Sequence, residues 1–320
     1  MSLVVCTSNE ILQKVSRSFA LCIPLLEKNK IREVETMYIL SRVADTIEDS
    51  SLSVKEKKAL MADFFRTLEG EDAGEFLQKL QEGIIDDNDR VLAVRKNYEF
   101  IIHTFHSLDG PARDISLKLL KEMSSGMIEY LDKDIITFED LDNYCYYVAG
   151  TVGLYMNSIV ELRDGIKLDE KGAVSLGRYL QKVNVIKNFH KDSQEGRNFW
   201  PTSLFGGIEG NIICKGEHRK EATIILEKMI ENATAEATES FDYIASVPYT
   251  LQGYRKFLLL SAFMATENLK LIKNNQEVFT NPNGIKIPRF RIPEIAIMVE
   301  EAAGSNEALW EFKKELETAA

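Results

Sequence analysis

A stripe of polar side chains at helical spacing carries two carboxylates that could do chemistry. Its members are Tyr38, Arg42, Asp45 and Asp49, at i, i+4, i+7 and i+11. Apolar residues occupy the neighbouring faces, which indicates a buried helix whose carboxylates must be paired or coordinate a metal. Two carboxylates one turn apart suit Mg²⁺, which takes oxygen ligands and keeps water or substrate phosphate in its other positions. A solvated surface ion pair is the alternative for this spacing taken alone.

A second stripe offers two amides and a carboxylate. In NVIKNFHKD, Asn184, Asn188 and Asp192 follow one another at four-residue spacing and would share a helix face flanked by apolar residues. Two such helices could hold a magnesium cluster between them. Basic residues accompany both stripes: Arg17, Arg42, Lys187 and Arg197. The combination predicts a site for a metal-bound diphosphate on a hydrophobic tail, whereas the asparagines alone would be better explained by hydrogen bonds to neighbouring helices.

Two glycines interrupt a third segment, NYCYYVAGTVGLYMN at 143–157. Interior glycine costs about 1 kcal/mol relative to alanine in a helix, so Gly150 and Gly153 need a reason. Two explanations remain open: close packing of helices, and room for a ligand beside the helix. Other chemistry finds little support, because His103 and His106 have no acidic or cysteine partner at ligand spacing and no glycine-rich phosphate loop is present.

The elements that must position these residues are helices. Seven prolines leave long proline-free tracts in which apolar residues recur at three and four. Helices are predicted over 8–26, 31–49, 54–69, 72–84, 87–107, 111–132, 137–165, 170–194, 217–247 and 249–276, with shorter ones after 292. Ser53 and Glu56 predict a capping box, and Gly165 and Gly196 predict helix ends. Because no repeat and no low-complexity linker divides the chain, we expect one all-α domain over 1–320.

Composition and charge narrow the class of protein. The 45% hydrophobic and 28% charged content is that of a globular protein, and the longest apolar runs fall short of the roughly 18 residues that a membrane span needs. A net charge of −11 argues against general attraction to nucleic acid. MSLVVCTSNE lacks the features of a signal peptide, and the four scattered cysteines predict neither disulfides nor zinc. We therefore expect a cytoplasmic protein.

Several segments occur in the order and at the spacing of a known family. They are SRSF at 16–19, YILSRVADTIED at 38–49, YCYYVAGTVG at 144–153 and QKVNVIKNFHKDSQEGRNFWP at 181–201. Through them the chain resembles the squalene and phytoene synthase family, and within it the squalene synthase branch. NNQEVF at 274–279 and GIKIPR at 284–289 are similar to the C-terminal region of that branch.

The resemblance implies a fold and a reaction. The fold would be of the isoprenoid synthase type, a single large bundle of packed helices around a central cavity, in which two farnesyl diphosphates condense head to head. Mg²⁺ would carry the diphosphates, presqualene diphosphate would form, and NADPH would reduce it to squalene. The implied metal ligands are Asp45, Asp49, Asn188 and Asp192.

The resemblance also implies roles for individual side chains. Arg17, Arg42 and Arg197 would hold diphosphate, and Tyr144 would act near the departing group or the cation. Phe19 and Phe257 would line the pocket for the prenyl chain. The other predicted substrate-binding residues belong to the stripes: Tyr38, Asn184 and Lys187.

The second motif departs from the family pattern. The family usually has aspartate at both ends of this motif and arginine before the first aspartate, whereas this chain has Lys187 and Asn188 and keeps only Asp192 as a carboxylate. An asparagine carbonyl ligates Mg²⁺ without charge, so weaker metal binding is expected. A working enzyme, an enzyme of the first half-reaction and a degenerate homologue are the three alternatives.

Further alternatives concern product and partners. A dehydrosqualene or phytoene synthase without NADPH is one, although FWP and NNQEVF favour squalene. A non-catalytic prenyl-diphosphate-binding homologue is another. The charged terminus NEALWEFKKELETAA stands where eukaryotic members carry a membrane anchor, which leaves either a form that contacts the membrane peripherally to release product or a shortened chain. A monomer is expected.

Overall fold

The computed structural model describes residues 7–16, 18–84, 89–208, 213 and 216–319. These residues form helices and connecting turns, and none of them lies in a β-strand. The all-α class predicted from the sequence is therefore confirmed. Within the described ranges no helix is both long enough and apolar enough to cross a bilayer.

The α-helices follow one another with short connections over most of the chain. Their bounds are α1 (Ser8–Val15), α2 (Phe19–Cys22), α3 (Lys28–Glu48), α4 (Val54–Leu68), α5 (Gly74–Gly83), α6 (Asp89–Lys96), α7 (Tyr98–His106), α8 (Gly110–Tyr130), α9 (Phe138–Cys145), α10 (Thr151–Asp164), α11 (Glu170–Lys187), α12 (Phe189–Gln194), α13 (Arg219–Ser246), α14 (Gln252–Ile272), α15 (Arg291–Gly304) and α16 (Asn306–Ala319). A π-helical turn, Tyr146–Gly150, connects α9 to α10. Short 3₁₀ turns include Thr202–Phe205 and Gln276–Phe279.

The chain divides into two compact units. The first contains the residues up to Asp132 together with Tyr155–Lys167. Its core surrounds α3, which packs against α1, α4, α7 and α8 and buries side chains such as Leu40, Val43 and Ile47 completely. This burial explains why α3 forms despite its polar stripe, since most of its circumference is covered by apolar neighbours.

The second unit contains Lys133–Leu154 and the residues from Leu168 onward. Its centre is α11, which packs most extensively on α13 and also on α14 and the π-helical turn. A cluster of aromatic rings, in which Phe189 stacks on Trp200 and meets the other rings edge to face, stabilises the chain that follows α12. Its members are Phe189, Trp200, Phe205 and Phe279. The expectation of one domain over 1–320 stays a prediction.

The predicted helix ends agree with the structure where local signals were strong. Ser53 caps α4, with its Oγ accepting from the Glu56 backbone at 3.3 Å while the Glu56 carboxylate accepts from the Ser53 backbone at 2.8 Å. Gly165 and Gly196 take φ of +69° and +74°, the left-handed geometry that terminates helices. The capping box and both helix ends are confirmed.

The predicted long helices are more interrupted than their apolar periodicity suggested. The helix expected over 170–194 ends at Lys187, and Asn188, at φ −103° and ψ 4°, separates it from α12. The helix expected over 137–165 passes through the π-helical turn. Two others, 8–26 and 87–107, are divided near Ser16 and Asn97. Apolar spacing survives a short break, so periodicity alone does not reveal it.

Candidate active site

The first stripe lies on the C-terminal half of α3. Nη1 of Arg42 lies 2.5 Å from Oδ2 of Asp45, and the two side chains are about one quarter exposed, at 24% and 26%. Asp49 ends the helix and is exposed. The stripe is therefore less buried than expected, because α3 reaches the surface of its unit where it ends.

The side chain of Arg42 stays positively charged and has an N–H group that makes no hydrogen bond within the described part of the chain. Burial by itself lowers the pKa of Arg42, but the charge of Asp45, followed by Tyr38 and Asp49, raises that pKa above its ordinary value. The guanidinium therefore stays protonated. Its Nε is buried and donates to no group in the described part of the chain. Because buried donors normally have an acceptor, this N–H is suited to an oxygen of a bound anion.

An aromatic pair precedes this ion pair. The rings of Phe19, which begins α2, and Tyr38, one turn before Arg42 on α3, have centroids 5.0 Å apart at a tilt of 40°. The structure thus brings together four of the predicted residues of the first unit: Phe19, Tyr38, Arg42 and Asp45. The prediction for Arg17 falls outside the described residues.

The second stripe bends at Asn188. Nδ2 of Asn188 donates to Oδ1 of Asn184 at 3.1 Å, which joins the last turn of α11 to the break. The backbone N–H of Asp192 donates to the carbonyl of Asn188 at 3.0 Å. Asp192 therefore lies on α12 rather than on a continuous helix with the asparagines.

A distant segment closes over this break. The N–H of Ile285 donates to the carbonyl of Lys187 at 3.0 Å. A Cβ on Gly284 would lie 2.6 Å from Oδ1 of Asn188 and 2.8 Å from the Lys187 carbonyl oxygen. Gly284 has φ +65°, so both its backbone and its missing side chain permit this approach. The Asn188 amide is held between Asn184 and Gly284.

Arg197 folds back onto Asp192. Its backbone N–H donates to the Asp192 carbonyl at 2.8 Å, and its Nη2 lies 3.8 Å from Oδ1 of Asp192 and 2.5 Å from Oε2 of Glu195. Burial raises the pKa of Glu195, but the hydrogen bonds and charges of Arg197 and Lys191 together outweigh it and hold that pKa below its usual value. The sequence prediction missed Glu195, although its position in HKDSQEGR gave a signal.

The predicted aromatic residues of the second unit are buried. Tyr144, on the last turn of α9, is 5% exposed and stacks on Phe199 with ring centroids 4.9 Å apart and planes inclined by 21°. Phe257, on α14, is 6% exposed and stacks on Tyr254 at 6.4 Å. Phe199 was not predicted as a site residue, and the FWP sequence that contains it was the available signal.

The mid-helix glycines permit close packing of helices. A Cβ on Gly153 would lie 2.3 Å from the carbonyl oxygen of Ala173, and one on Gly177 would lie 2.3 Å from that of Ala149. The backbone of α11 therefore touches the backbone of the π-helical turn and of α10. Of the two explanations left open for Gly150 and Gly153, close packing is the one that these contacts support.

The carboxylates of the two stripes are the candidate metal ligands. Among the described residues, no group of three or more His, Cys, Asp or Glu is arranged to hold a metal ion. Asp45 and Asp49 nevertheless offer two carboxylates one turn apart, which fits Mg²⁺ with substrate oxygens completing its shell. Asp192 adds one carboxylate in the second unit. Binding of Mg²⁺ and NADPH stays a prediction.

Comparison with known proteins identifies the family. Residues 12–291 match the squalene/phytoene synthase family, and the chain belongs to it. The chain is 30% identical over 280 residues to squalene synthase of Rattus norvegicus, covering 85% of this chain and 65% of the rat protein. It is 30% identical over 285 residues to squalene synthase of Schizosaccharomyces pombe, covering 84% of this chain and 60% of the yeast protein. It thus spans less than two thirds of the length of these relatives.

The fold has a solved counterpart. The structure of TcSQS in complex with the ligand BPH1237 is similar with a TM-score of 0.81 and 25% identity, covering 98% of this chain and 89% of that one. The predicted isoprenoid synthase type of fold is confirmed by this likeness.

Proposed function

We propose that this protein is a prenyltransferase that condenses two farnesyl diphosphates head to head, through presqualene diphosphate, to squalene. The observation that carries the proposal is Arg42, a charged guanidinium with a buried unused Nε, beside the carboxylates of Asp45 and Asp49. A diphosphate that carries a divalent cation fits these residues, because the anion can bind Arg42 and the cation can bind the two carboxylates. The named squalene synthases among its relatives support the substrate class.

The first unit would bind one diphosphate through the residues at the end of α3. Asp45 and Asp49 would hold Mg²⁺, which when bound neutralises the charge of a departing diphosphate. Nε of Arg42 would donate to a diphosphate oxygen, and its pairing with Asp45 keeps the guanidinium in place. Phe19 and Tyr38 would cover the adjacent prenyl carbons and exclude water, which strengthens these electrostatic contacts.

The second unit would bind the other diphosphate with less negative charge from the protein. Asp192 is the carboxylate of this stripe, and the amide of Asn188 is held by its neighbours. Lys187 and Arg197 would supply positive charge to the diphosphate directly. We therefore expect diphosphate binding at this stripe to depend more on basic side chains and less on Mg²⁺ than diphosphate binding at the end of α3.

The aromatic side chains would protect the reactive carbons. Loss of diphosphate leaves an allylic cation, which an aromatic face stabilises and water would destroy. Tyr144, stacked on Phe199, would lie near the departing group, and Phe257 would line the prenyl pocket. Presqualene diphosphate would then lose its diphosphate, and NADPH would supply the hydride that quenches the rearranged cation to give squalene.

One alternative has a specific observation behind it. Asn188 replaces a carboxylate and its amide is already hydrogen-bonded, so a protein that stops at presqualene diphosphate, or that only binds prenyl diphosphate, is the second candidate. A dehydrosqualene or phytoene product without NADPH remains a variant of the main proposal. Product identity separates these candidates.

The Asp45→Asn variant tests the catalytic proposal. We expect release of pyrophosphate from farnesyl diphosphate to fall by about 100-fold or more, the scale of losing one transition-state charge contact. Asp132→Asn is the matched control, because Asp132 belongs to the same unit but pairs with Lys58 at an exposed site. Equal turnover by wild type and Asp45→Asn, with unchanged thermal unfolding, would overturn the assigned role.

A further inference from the structure

A polar cavity of about 320 Å³ lies within the second unit, apart from the residues assigned above. It is bordered by α9, α11 and α13. Charged side chains line it, and those that matter here are Asp142, Arg178, Lys182 and Glu236. No motif of the sequence predicted this group.

Lys182 is the centre of the group. Its side chain is 2% exposed, and its Nζ lies 2.7 Å from Oδ1 of Asp142 and 3.1 Å from Oε1 of Glu236. These three residues, here called the Lys182 cluster, connect α11 to α9 and to α13. Burying an ion pair costs desolvation that its attraction often fails to repay, so such a cluster is weak evidence of stabilisation, and setting the register of helices is the best-attested role of such buried groups.

The cluster adjoins two predicted site residues in sequence. Asp142 precedes Tyr144 by two positions on α9, and Lys182 precedes Asn184 by two on α11. Helical residues two apart point about 200° from each other. The ion pair therefore lies on one side of α9 and of α11, while Tyr144 and Asn184 project from the opposite sides.

Close backbone packing between the same segments accompanies the ion pair. Gly177 brings the backbone of α11 onto the carbonyl of Ala149, so the two segments touch without intervening side chains. Such a contact limits how far the two segments can move apart, but it does little to fix their relative positions along the helix axes. A charged contact with one ion-pair partner on each neighbouring helix would set the register.

We propose that Lys182 is a positioning residue: through Asp142 and Glu236 it fixes the register of α9 on α11 and so places Tyr144 relative to the second stripe. The proposal rests on the proposed function for its effect on catalysis. The placement of the Tyr144 ring is a structural property that can be measured without turnover.

The test uses two variants and a control. Lys182→Met removes the cation and leaves the partly buried carboxylates of Asp142 and Glu236, which are 31% and 13% exposed, without it, so it is expected to lose stability. The triple variant Lys182→Met, Asp142→Asn, Glu236→Gln removes all three charges and avoids that penalty. Lys30→Met is the control, because Lys30 is equally buried and pairs with Asp164 at 2.6 Å but belongs to the first unit.

The first readout is the ¹⁹F resonance of 3-fluorotyrosine incorporated at position 144. In the wild-type chain this ring stacks on Phe199, and a Phe199→Leu variant gives the reference shift of the unstacked ring. We expect the triple variant to shift or broaden toward the reference and Lys30→Met to keep the wild-type shift. A wild-type resonance in a folded triple variant would overturn the proposal.

The second readout is steady-state turnover of farnesyl diphosphate. We expect kcat of the triple variant to fall by about 10-fold to 100-fold with KM nearly unchanged, since a misplaced group of this kind affects the reacting geometry. Recovery of both thermal stability and kcat in the triple variant would show a purely structural role and contradict the proposal. If the wild-type protein does not turn over this substrate, the proposed function fails, while the fluorine shift still decides the positioning role.

Discussion

At the scale of single residues, Asn188 controls how the second stripe is built. It ends α11, its Nδ2 donates to Asn184, and its Oδ1 lies against Gly284. Its identity and spacing were evident from the sequence. Its contact with Gly284 was not, because that contact joins segments far apart along the chain and leaves no local periodicity.

Gly284→Ala is predicted to destabilise the protein and to disturb Asn188. The added Cβ would lie 2.6 Å from Oδ1 of Asn188, and alanine is strained at φ +65°. We expect a loss of roughly 2–4 kcal/mol in the free energy of unfolding, from backbone strain of about 1 kcal/mol plus overpacking. Urea denaturation measures it.

Gly207→Ala is the control for this prediction. Gly207 also has a positive φ, +89°, but a Cβ there would meet nothing within 4 Å. It should lose only the strain, about 1 kcal/mol. Equal losses for the two variants would show that the contact with Asn188 contributes nothing.

At the scale of elements, α11 packs directly against the backbone of the π-helical turn. Local signals, such as the capping box of α4, were sufficient to predict several helix ends. The π-helical turn could not be predicted, because Tyr146–Gly150 keeps helical composition and its extra residue is accommodated only by packing against α11.

Gly177→Ala is predicted to destabilise, against the usual preference for alanine in helices. Replacing interior glycine ordinarily stabilises by about 0.5–1 kcal/mol, but here the Cβ would lie 2.3 Å from the Ala149 carbonyl oxygen. We expect a net loss of about 1–3 kcal/mol, measured by urea denaturation. Gly304→Ala at the end of α15, where a Cβ meets nothing within 4 Å, should be neutral or stabilising. Stabilisation by both substitutions would contradict the close contact.

A buried carboxylate on α14 forms an ion pair with α15. We therefore expect the free energy of unfolding to depend on pH in the acid range. Oε2 of Glu267 lies 2.9 Å from Nη2 of Arg291, and Oε1 lies 3.0 Å from Nζ of Lys270. Burial raises the pKa of Glu267, but the hydrogen bonds from Arg291 and then Lys270 outweigh it, so this pKa lies below the ordinary 4.5. The stabilisation is therefore complete above pH 4.5 and is lost as the pH falls through the lower folded-state pKa.

Glu267→Gln should reveal this dependence. We expect the difference in unfolding free energy between wild type and variant to be constant near neutral pH and to shrink as the pH falls below 4.5, the ordinary pKa of the group. Denaturation curves at several pH values measure it. Glu277→Gln, at an exposed position in the same unit, is the control. A difference that grows on acidification would contradict the sign.

At the scale of the whole molecule, the sequence motifs predicted the all-α class and the family. Both depend on local patterns: apolar spacing for helices, and short segments in fixed order for the family. The division into two compact units was not predicted, because it depends on contacts between distant segments. For the same reason the Lys182 cluster was missed, since Asp142, Lys182 and Glu236 are separated in sequence.

Product analysis tests the central claim most directly. The purified protein is incubated with farnesyl diphosphate and Mg²⁺, with and without NADPH, and the extract is examined by mass spectrometry, with Asp45→Asn as the inactive control. The proposed function predicts squalene only when NADPH is present and presqualene diphosphate in its absence. No consumption of farnesyl diphosphate under either condition would contradict the claim.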